Sequence, residues 1–241
     1  MKKYKYLLFD LDDTLIDNFH NVKYAFSETL NHLGLKYSDA EFQKWLNHEK
    51  VFWTKRESQE LKLFPPSEYK SSPELMIKWV RSQRFVRYFN LSLEKSLELN
   101  ELYINSLQEV VYPIDGAYET LKYLSDKYQI IVSTNGPIVP VESKLTKINC
   151  WQFVDNVFAA EMFGVMKPNV KFFNEIKNRI NEQNNSKFLV IGDSLINDIV
   201  GAFNADMDSC WLNSKKQPCI VSGNIKPTYE IYKLNELIKI L

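Results

Sequence analysis

Three cysteines and three histidines are few for a chain of 241 residues. Cys150, Cys210 and Cys219 are odd in number and never fall at CxxC spacing, which argues against a zinc ribbon or a disulfide framework. His20, His32 and His48 share no ligand spacing, so a histidine-built zinc site is not expected either. Charge of one sign is also lacking, because 30 Lys plus Arg balance 30 Asp plus Glu. Without a basic surplus there is no field for gripping a nucleic-acid polymer, and small ligands are the expected partners. No apolar run approaches the ~18 residues that span a bilayer, and Tyr6 to Phe9, closed by Asp10, is too short for a signal-peptide core. A cytoplasmic protein is expected, with no membrane segment. No segment recurs at a fixed period, which sets a repeat solenoid aside. What is present, 45% hydrophobic and 25% charged residues, is globular composition.

Five short apolar runs read as buried strands: Tyr6 to Phe9, Gln129 to Ser133, Asn156 to Ala159, Phe188 to Ile191 and Ser209 to Leu212. Helical periodicity lies between them, over 117–128, 170–180 and 196–205. Strands alternating with helices predict an α/β fold, a doubly wound parallel sheet covered on both faces. The stretch from about Phe19 to Val111 breaks the alternation and is helical throughout. Apolar residues at helical spacing run over 22–33 and stop at Gly34. Asp39 opens a second helix, Phe64-Pro65-Pro66-Ser67 breaks it, Ser72-Pro73-Glu74 starts a third, and a last helix covers about 93–110. The expected organisation is a core of residues 1–17 and 112–241, interrupted by a helical domain of residues 18–111. Within that insertion Arg81, Arg84 and Arg87 follow one helical face and are expected in solvent.

The chemistry gathers at strand ends, where open α/β sheets bind ligands. The first strand runs into Asp10-Leu11-Asp12-Asp13-Thr14, three carboxylates that by themselves also describe a solvated turn with a helix N-cap. The second ends in Thr134-Asn135-Gly136, a hydroxyl, an amide and a glycine where backbone N–H groups can face an anion, or an ordinary turn. Lys167-Pro168 follows the third. The fourth enters Gly192-Asp193-Ser194-Leu195-Ile196-Asn197-Asp198, with two acids five positions apart. Asp10, Asp193 and the backbone carbonyl of Asp12 would supply the hard oxygen ligands of an octahedral Mg²⁺.

With these four segments in this order, the chain resembles the haloacid dehalogenase superfamily of aspartyl-phosphate phosphatases. The matching strings are FDLDDTL, IIVSTNG, the Lys167-Pro168 pair and GDSLINDI, and they span Phe9 to Ile199. The resemblance implies strand order 5-4-1-2-3, with the insertion as a C1-type helical cap. Cys210-Trp211-Leu212-Asn213, Ile225-Lys226-Pro227-Thr228-Tyr229, the closing 234–241 segment and Asn47 through Trp53 look, more narrowly, like bacterial pyrimidine 5′-nucleotidases of the house-cleaning type.

The resemblance further implies roles. Asp10 would be the nucleophile and would form an aspartyl-phosphate. Asp12 would protonate the leaving alkoxide and then deprotonate the hydrolytic water, an acid that dehalogenases of this superfamily lack. Thr134 and the amides near Asn135 and Gly136 would bind phosphate oxygens, and Lys167 would add fixed positive charge. Mg²⁺ would sit on Asp10, Asp12 and Asp193, with Asp198 orienting Lys167 or a metal-bound water. Asp13 is assigned no chemistry. In the insertion, Phe52, Trp53, Lys55 and Arg56 form an aromatic and basic cluster, of which Trp53 and Lys55 are the candidates for holding a nucleobase. The expected substrate is a nucleoside monophosphate, handled by a monomer or homodimer. A sugar-phosphate phosphatase or phosphosugar mutase of the same superfamily, and a non-catalytic phospho-ligand binder, are the alternatives. A receiver domain is a poorer match, because no aspartate follows the third strand in Phe158-Ala159-Ala160-Glu161.

Overall fold

The chain divides into two compact units, His20–Val110 and the combination of Met1–Phe19 with Val111–Leu241. The computed structural model describes residues 3–57, 60–221, 223 and 225–241.

The helical unit is built on α1 (Asn18–His32), α2 (Asp39–Glu57), α3 (Pro73–Phe89) and α4 (Leu93–Ser106). Their limits follow local chemistry. Gly34 takes φ 69° just past α1, a left-handed turn that costs glycine no Cβ clash. Ser72 Oγ accepts from Leu75 N–H at 3.2 Å ahead of Pro73, whose missing N–H is no loss in a first turn. The core of this unit is aromatic: the Trp45 ring stacks 5.1 Å from both Phe26 and Phe85, with Leu30, Phe42 and Leu99 buried around them. Burying each such side chain contributes roughly 1.5–3 kcal/mol.

One expectation for this unit fails. Arg81 and Arg84 are not solvated but buried, at 4% and 6% exposure, and only Arg87 of the three reaches solvent. The reason is that α3 packs against both α2 and α4, so its polar face is covered as well as its apolar one. Periodicity shows which residues share a face, not whether that face is open. Phe52, grouped by sequence with Trp53, is a core residue beside Trp79 and Val80.

The other unit holds a parallel sheet of β1 (Tyr6–Phe9), β2 (Gln129–Thr134), β3 (Asn156–Ala159), β4 (Phe188–Gly192), β5 (Asp208–Leu212) and β6 (Tyr229–Ile231). The order is β3-β2-β1-β4-β5-β6, which contains the expected 5-4-1-2-3 and adds β6 at the edge, too short to register as a periodic run. The connecting helices are α5 (Ala117–Ser125), α6 (Val141–Lys147), α7 (Ala160–Phe163), α8 (Val170–Ile180), a π-helical turn over Leu195–Val200 leading into α9 (Gly201–Asn204), and α10 (Leu237–Ile240). Alternation within β1 sends its side chains to two cores. Leu7 and Phe9 pack with Ile130, Val132, Leu189 and Ile191, whereas Tyr6 and Leu8 pack with Ile131, Phe188 and Val190. Phe9 pairs with Val132 on one side and Ile191 on the other, so the carboxyl ends of β2, β1 and β4 lie side by side. The strand order reverses at β1, and a crevice at such a point is where ligands bind in doubly wound sheets.

Candidate active site

Asp10 follows β1 directly, and its N–H still donates to Ile191 O at 2.8 Å, which holds it level with the end of β4. The chain then closes on itself: Leu15 N–H donates to Leu11 O at 2.9 Å, and Asp13, at φ 64°, donates its N–H to Ile16 O at 2.8 Å. Asp13 Oδ1 accepts from Asn18 N–H at 3.1 Å. Thr14, fully buried, accepts from Asp193 N–H at 3.1 Å through Oγ1 and so ties the β1 loop to the β4 loop. From the other side Trp211 Nε1 donates to Asp193 O at 2.8 Å.

Lys167 is the centre of the site. Its ammonium donates to Asp10 Oδ1 at 2.7 Å, Asp198 Oδ1 at 2.7 Å and Ser133 O at 2.8 Å, which uses all three protons and leaves it no rotational freedom. Asn135 fixes the backbone of the same residue from both sides, accepting from Lys167 N–H at 2.8 Å and donating to Lys167 O at 3.0 Å. The Asn135 side chain therefore serves Lys167. Thr134 Oγ1 accepts from Gly136 N–H at 2.8 Å, an orientation that leaves the hydroxyl proton free to donate. Asp198 is wholly buried, and its second oxygen accepts from Ser194 N–H at 3.1 Å. Asp12 Oδ1 accepts from Lys144 at 3.0 Å.

Crowding of carboxylates moves their proton affinities. Asp10 is raised well above the usual carboxylate range by burial and by the charges of Asp198 and Asp193, against the pull of Lys167. Asp193 is pushed up to about 7 by burial, then by Asp198 and Asp13, again opposed by Lys167. Lys167 is raised despite its burial, because Asp10 and Asp198 outweigh the loss of solvent. The site thus carries more negative charge than its lysine balances.

That surplus bears on a metal. Asp10, Asp193 and Asp198 each offer an oxygen within 4.8 Å of the others. An all-oxygen, anionic donor set fits a hard divalent cation such as Mg²⁺ and not a thiophilic one. Both oxygens of Asp198 already accept hydrogen bonds from Lys167 and Ser194, so Asp10 and Asp193 are the carboxylates with coordination to give.

A cavity of about 280 Å³ opens over these groups, lined by Asp10, Asp12, Thr134, Gly136, Lys167 and Asp193 among others. A neighbouring one of about 440 Å³ shares Asp13 and Asp193 and is walled by Trp211 and Lys215. The residues singled out at four strand ends thus converge on one cavity. Trp53 and Lys55 belong to the helical unit. Trp53 is half-buried, with the guanidinium groups of Arg56 and Arg84 5.7 and 5.6 Å from its ring, and Lys55 is exposed. Sequence reasoning missed Lys144, one of several polar residues of a short helix and part of no motif. It also missed Asn197, a cavity residue whose buried Oδ1 has no partner among the described residues. Asn197 could have been found inside GDSLINDI.

Comparison with known proteins agrees with this geometry. A family model described as haloacid dehalogenase-like hydrolase matches residues 7–212. The HAD-hydrolase YfnB of Bacillus subtilis is 31% identical, covering 100% of this chain and 97% of that protein. Its crystal structure, bound to magnesium and described as revealing interdomain movement, superposes with a TM-score of 0.81 over 100% of this chain and 99% of that one, at 28% identity. The pyrimidine 5′-nucleotidase YjjG of Escherichia coli is 26% identical over 99% of this chain and 98% of its own length. The pyrimidine 5′-nucleotidase PynA of Streptococcus pneumoniae is 28% identical over 99% and 95%. By its motifs, its sheet order and these relatives, the chain belongs to the haloacid dehalogenase-like hydrolase family and is one of that family's phosphatases.

Proposed function

We propose that this phosphatase is a Mg²⁺-dependent 5′-nucleotidase acting on pyrimidine nucleoside monophosphates through an aspartyl-phosphate. The carrying observation is the bond of Lys167 to Asp10 and Asp198, both at 2.7 Å, beside Thr134 and Asp12 in one cavity. A phosphate monoester is a dianion, and a carboxylate that attacks it needs countercharge on the spot. Lys167 supplies one unit and Thr134 Oγ1 with nearby amides receives the phosphate oxygens. Mg²⁺ held by Asp10, Asp193 and the backbone carbonyl of Asp12 supplies the remaining positive charge when bound.

In the first step an Asp10 carboxylate oxygen bonds to phosphorus as the ester P–O bond breaks, and the Asp12 carboxyl proton passes to the leaving oxygen. The products are an alcohol, the aspartyl-phosphate and ionised Asp12. In the second step Asp12 takes a proton from water while the water oxygen attacks phosphorus, which releases phosphate and restores both aspartates. Asp198 keeps Lys167 aimed at Asp10. The helical unit serves as the family's C1-type cap and sets substrate choice, with Trp53 and Lys55 as its candidates. YjjG and PynA, similar over nearly the whole chain, support the pyrimidine assignment. The chain acts in the cytoplasm on a small molecule, as a monomer or homodimer, and engages no nucleic-acid polymer. No helix among the described residues is long and apolar enough to cross a membrane.

The test is phosphate release with Mg²⁺ from UMP, dUMP, dTMP, AMP, GMP and several sugar phosphates, with Asp10→Asn as the blank. Turnover confined to pyrimidine monophosphates and absent from the blank is the expected result. Faster turnover of sugar phosphates overturns the nucleotidase assignment and keeps the chemistry. Equal release by wild type and blank overturns both.

A further inference from the structure

We infer that Lys144 is a positioning residue for proton transfer: it holds Oδ1 of Asp12, so that Oδ2 is the atom that gives and takes the proton. This rests on the hydrolytic role proposed above for Asp12. Lys144 lies in α6 between Val141 and Leu145, with its side chain only 2% exposed. A lysine there loses its hydration, and an ammonium in apolar surroundings must be matched by an anion. The anion it meets is Asp12, at 3.0 Å through Oδ1.

The far side of the carboxylate is bounded too. A Cβ placed on Gly136 would stand 3.1 Å from Asp12 Oδ2 and 3.0 Å from Thr134 Oγ1, close enough that a side chain there would press on Oδ2 by a few tenths of an ångström. Asp12 is thus gripped at Oδ1 and fitted at Oδ2, although its side chain remains 25% exposed to the cavity it lines. Two buried lysines divide these acids between them. Lys167 takes Asp10 and Asp198, and Lys144 takes Asp12. A general acid and base acts only when its reacting oxygen is held within hydrogen-bond reach of both leaving group and water. A carboxylate free to rotate about its side-chain torsions would offer that oxygen for a fraction of the time. Lys144 is not among the residues that line the cavity.

The test compares Lys144→Met, Lys144→Arg, Asp12→Asn and Lys144→Met combined with Asp12→Asn, using UMP and p-nitrophenyl phosphate at saturating Mg²⁺. Wild type must first release product in a manner lost in Asp10→Asn; if it does not, the hydrolytic assignment fails and not the role of Lys144. Given that activity, Lys144→Met is expected to lower kcat for UMP about tenfold to a hundredfold, part of the ~10²–10⁴ that such a group contributes, with KM within about threefold. Lys144→Arg, which keeps the cation, is expected to recover most of the loss. In the Asp12→Asn background the same Lys144→Met change is expected to alter kcat by less than about threefold, because nothing is left to position. With p-nitrophenyl phosphate, whose leaving group needs little protonation, a first-turnover burst is expected to survive in Lys144→Met while the steady rate falls. A kcat near wild type in Lys144→Met, an undiminished further loss on top of Asp12→Asn, or burst and steady rate falling together would each overturn the inference. Should Lys144→Met not fold, Lys144→Gln in the same two backgrounds decides by the same criteria.

Discussion

Gly192 and Asp198 contend for one small volume: the place where a Cβ would stand on Gly192 is filled by the Asp198 carboxylate. The last residue of β4 is therefore glycine for room, so that an acid six positions on can tuck under the strand end and meet Lys167. Gly192→Ala has no flexible tip to push aside, since the carboxylate is itself fixed by Lys167 and Ser194 N–H. Activity is expected to fall by about a hundredfold or more, with a lowered melting temperature, because the misplaced group is one that orients Lys167. Wild-type kcat and an unchanged melt in this variant would show that the Asp198 position is immaterial.

Lys167→Met removes the one cation shared by Asp10 and Asp198 and leaves two buried carboxylates facing each other. Breaking a buried pair in this way costs about 3–5 kcal/mol. Hydrolysis is expected to drop by ~10³ or more while Mg²⁺ still binds, since Asp193 and Asp10 remain. Steady-state kinetics beside a Mg²⁺ titration followed by tryptophan fluorescence separates the two effects. Loss of Mg²⁺ binding with retained turnover would contradict this assignment.

The proton affinity of Asp193 makes the metal effect depend on pH. Its value in the folded chain, about 7, lies above the ordinary 3.8, so the folded state holds this proton more tightly than the unfolded one. The associated stability is complete below about pH 4 and is lost as pH rises through about 7. Asp10 is shifted in the same direction. A divalent cation replaces the missing proton as countercharge, so the rise in melting temperature on adding Mg²⁺ is expected to be larger at pH 8 than at pH 5. Thermal melts with and without Mg²⁺ at the two pH values measure it. An equal rise at both, or a larger one at pH 5, would refute it.

The strand ends were legible because Asp10, Thr134 and Asp193 stand at or just past the end of an apolar run, where a buried strand can release polar groups, and Lys167 and Asp198 follow within the next loop or turn. That is why Asp10, Thr134, Lys167, Asp193 and Asp198 could be named from sequence and are found around one cavity. Lys144 was not legible: a lysine between Val141 and Leu145 looks like the solvated face of a short helix, and only the fold shows that this face meets Asp12. Arg81 and Arg84 misled for the same reason, since coverage by α2 and α4 is a tertiary fact. The amides near Asn135 and Gly136 carried the phosphate expectation in sequence, and the structure shows a further task for the Asn135 side chain, the clamp on Lys167, because an amide can pair both ways with one backbone residue. The edge strand β6 holds three residues, too few for an alternation to declare itself.

Arg84 gives the helical unit a test of its own. Its guanidinium donates to Glu49 Oε2 at 2.6 Å, to Asn100 Oδ1 at 3.2 Å and to Arg81 O at 2.8 Å, with side-chain exposures of 7% for Arg84 and 16% for Glu49. An ion pair this buried gains little over apolar residues of the same volume, but half of it is worse than none. Arg84→Met leaves Glu49 without its countercharge in the interior and is expected to destabilise the protein by about 3 kcal/mol, read from denaturant melts. Arg84→Met with Glu49→Leu removes both charges and is expected to regain most of that loss. The Asn100 amide already has a buried nitrogen without a partner among the described residues, so this third member keeps the recovery incomplete. If the double variant is less stable than the single one, the pair stabilises the unit beyond its desolvation and α3 is held by charge; if it is more stable, packing of Trp45 with Phe26 and Phe85 holds the unit and the pair serves to fix which helix faces meet.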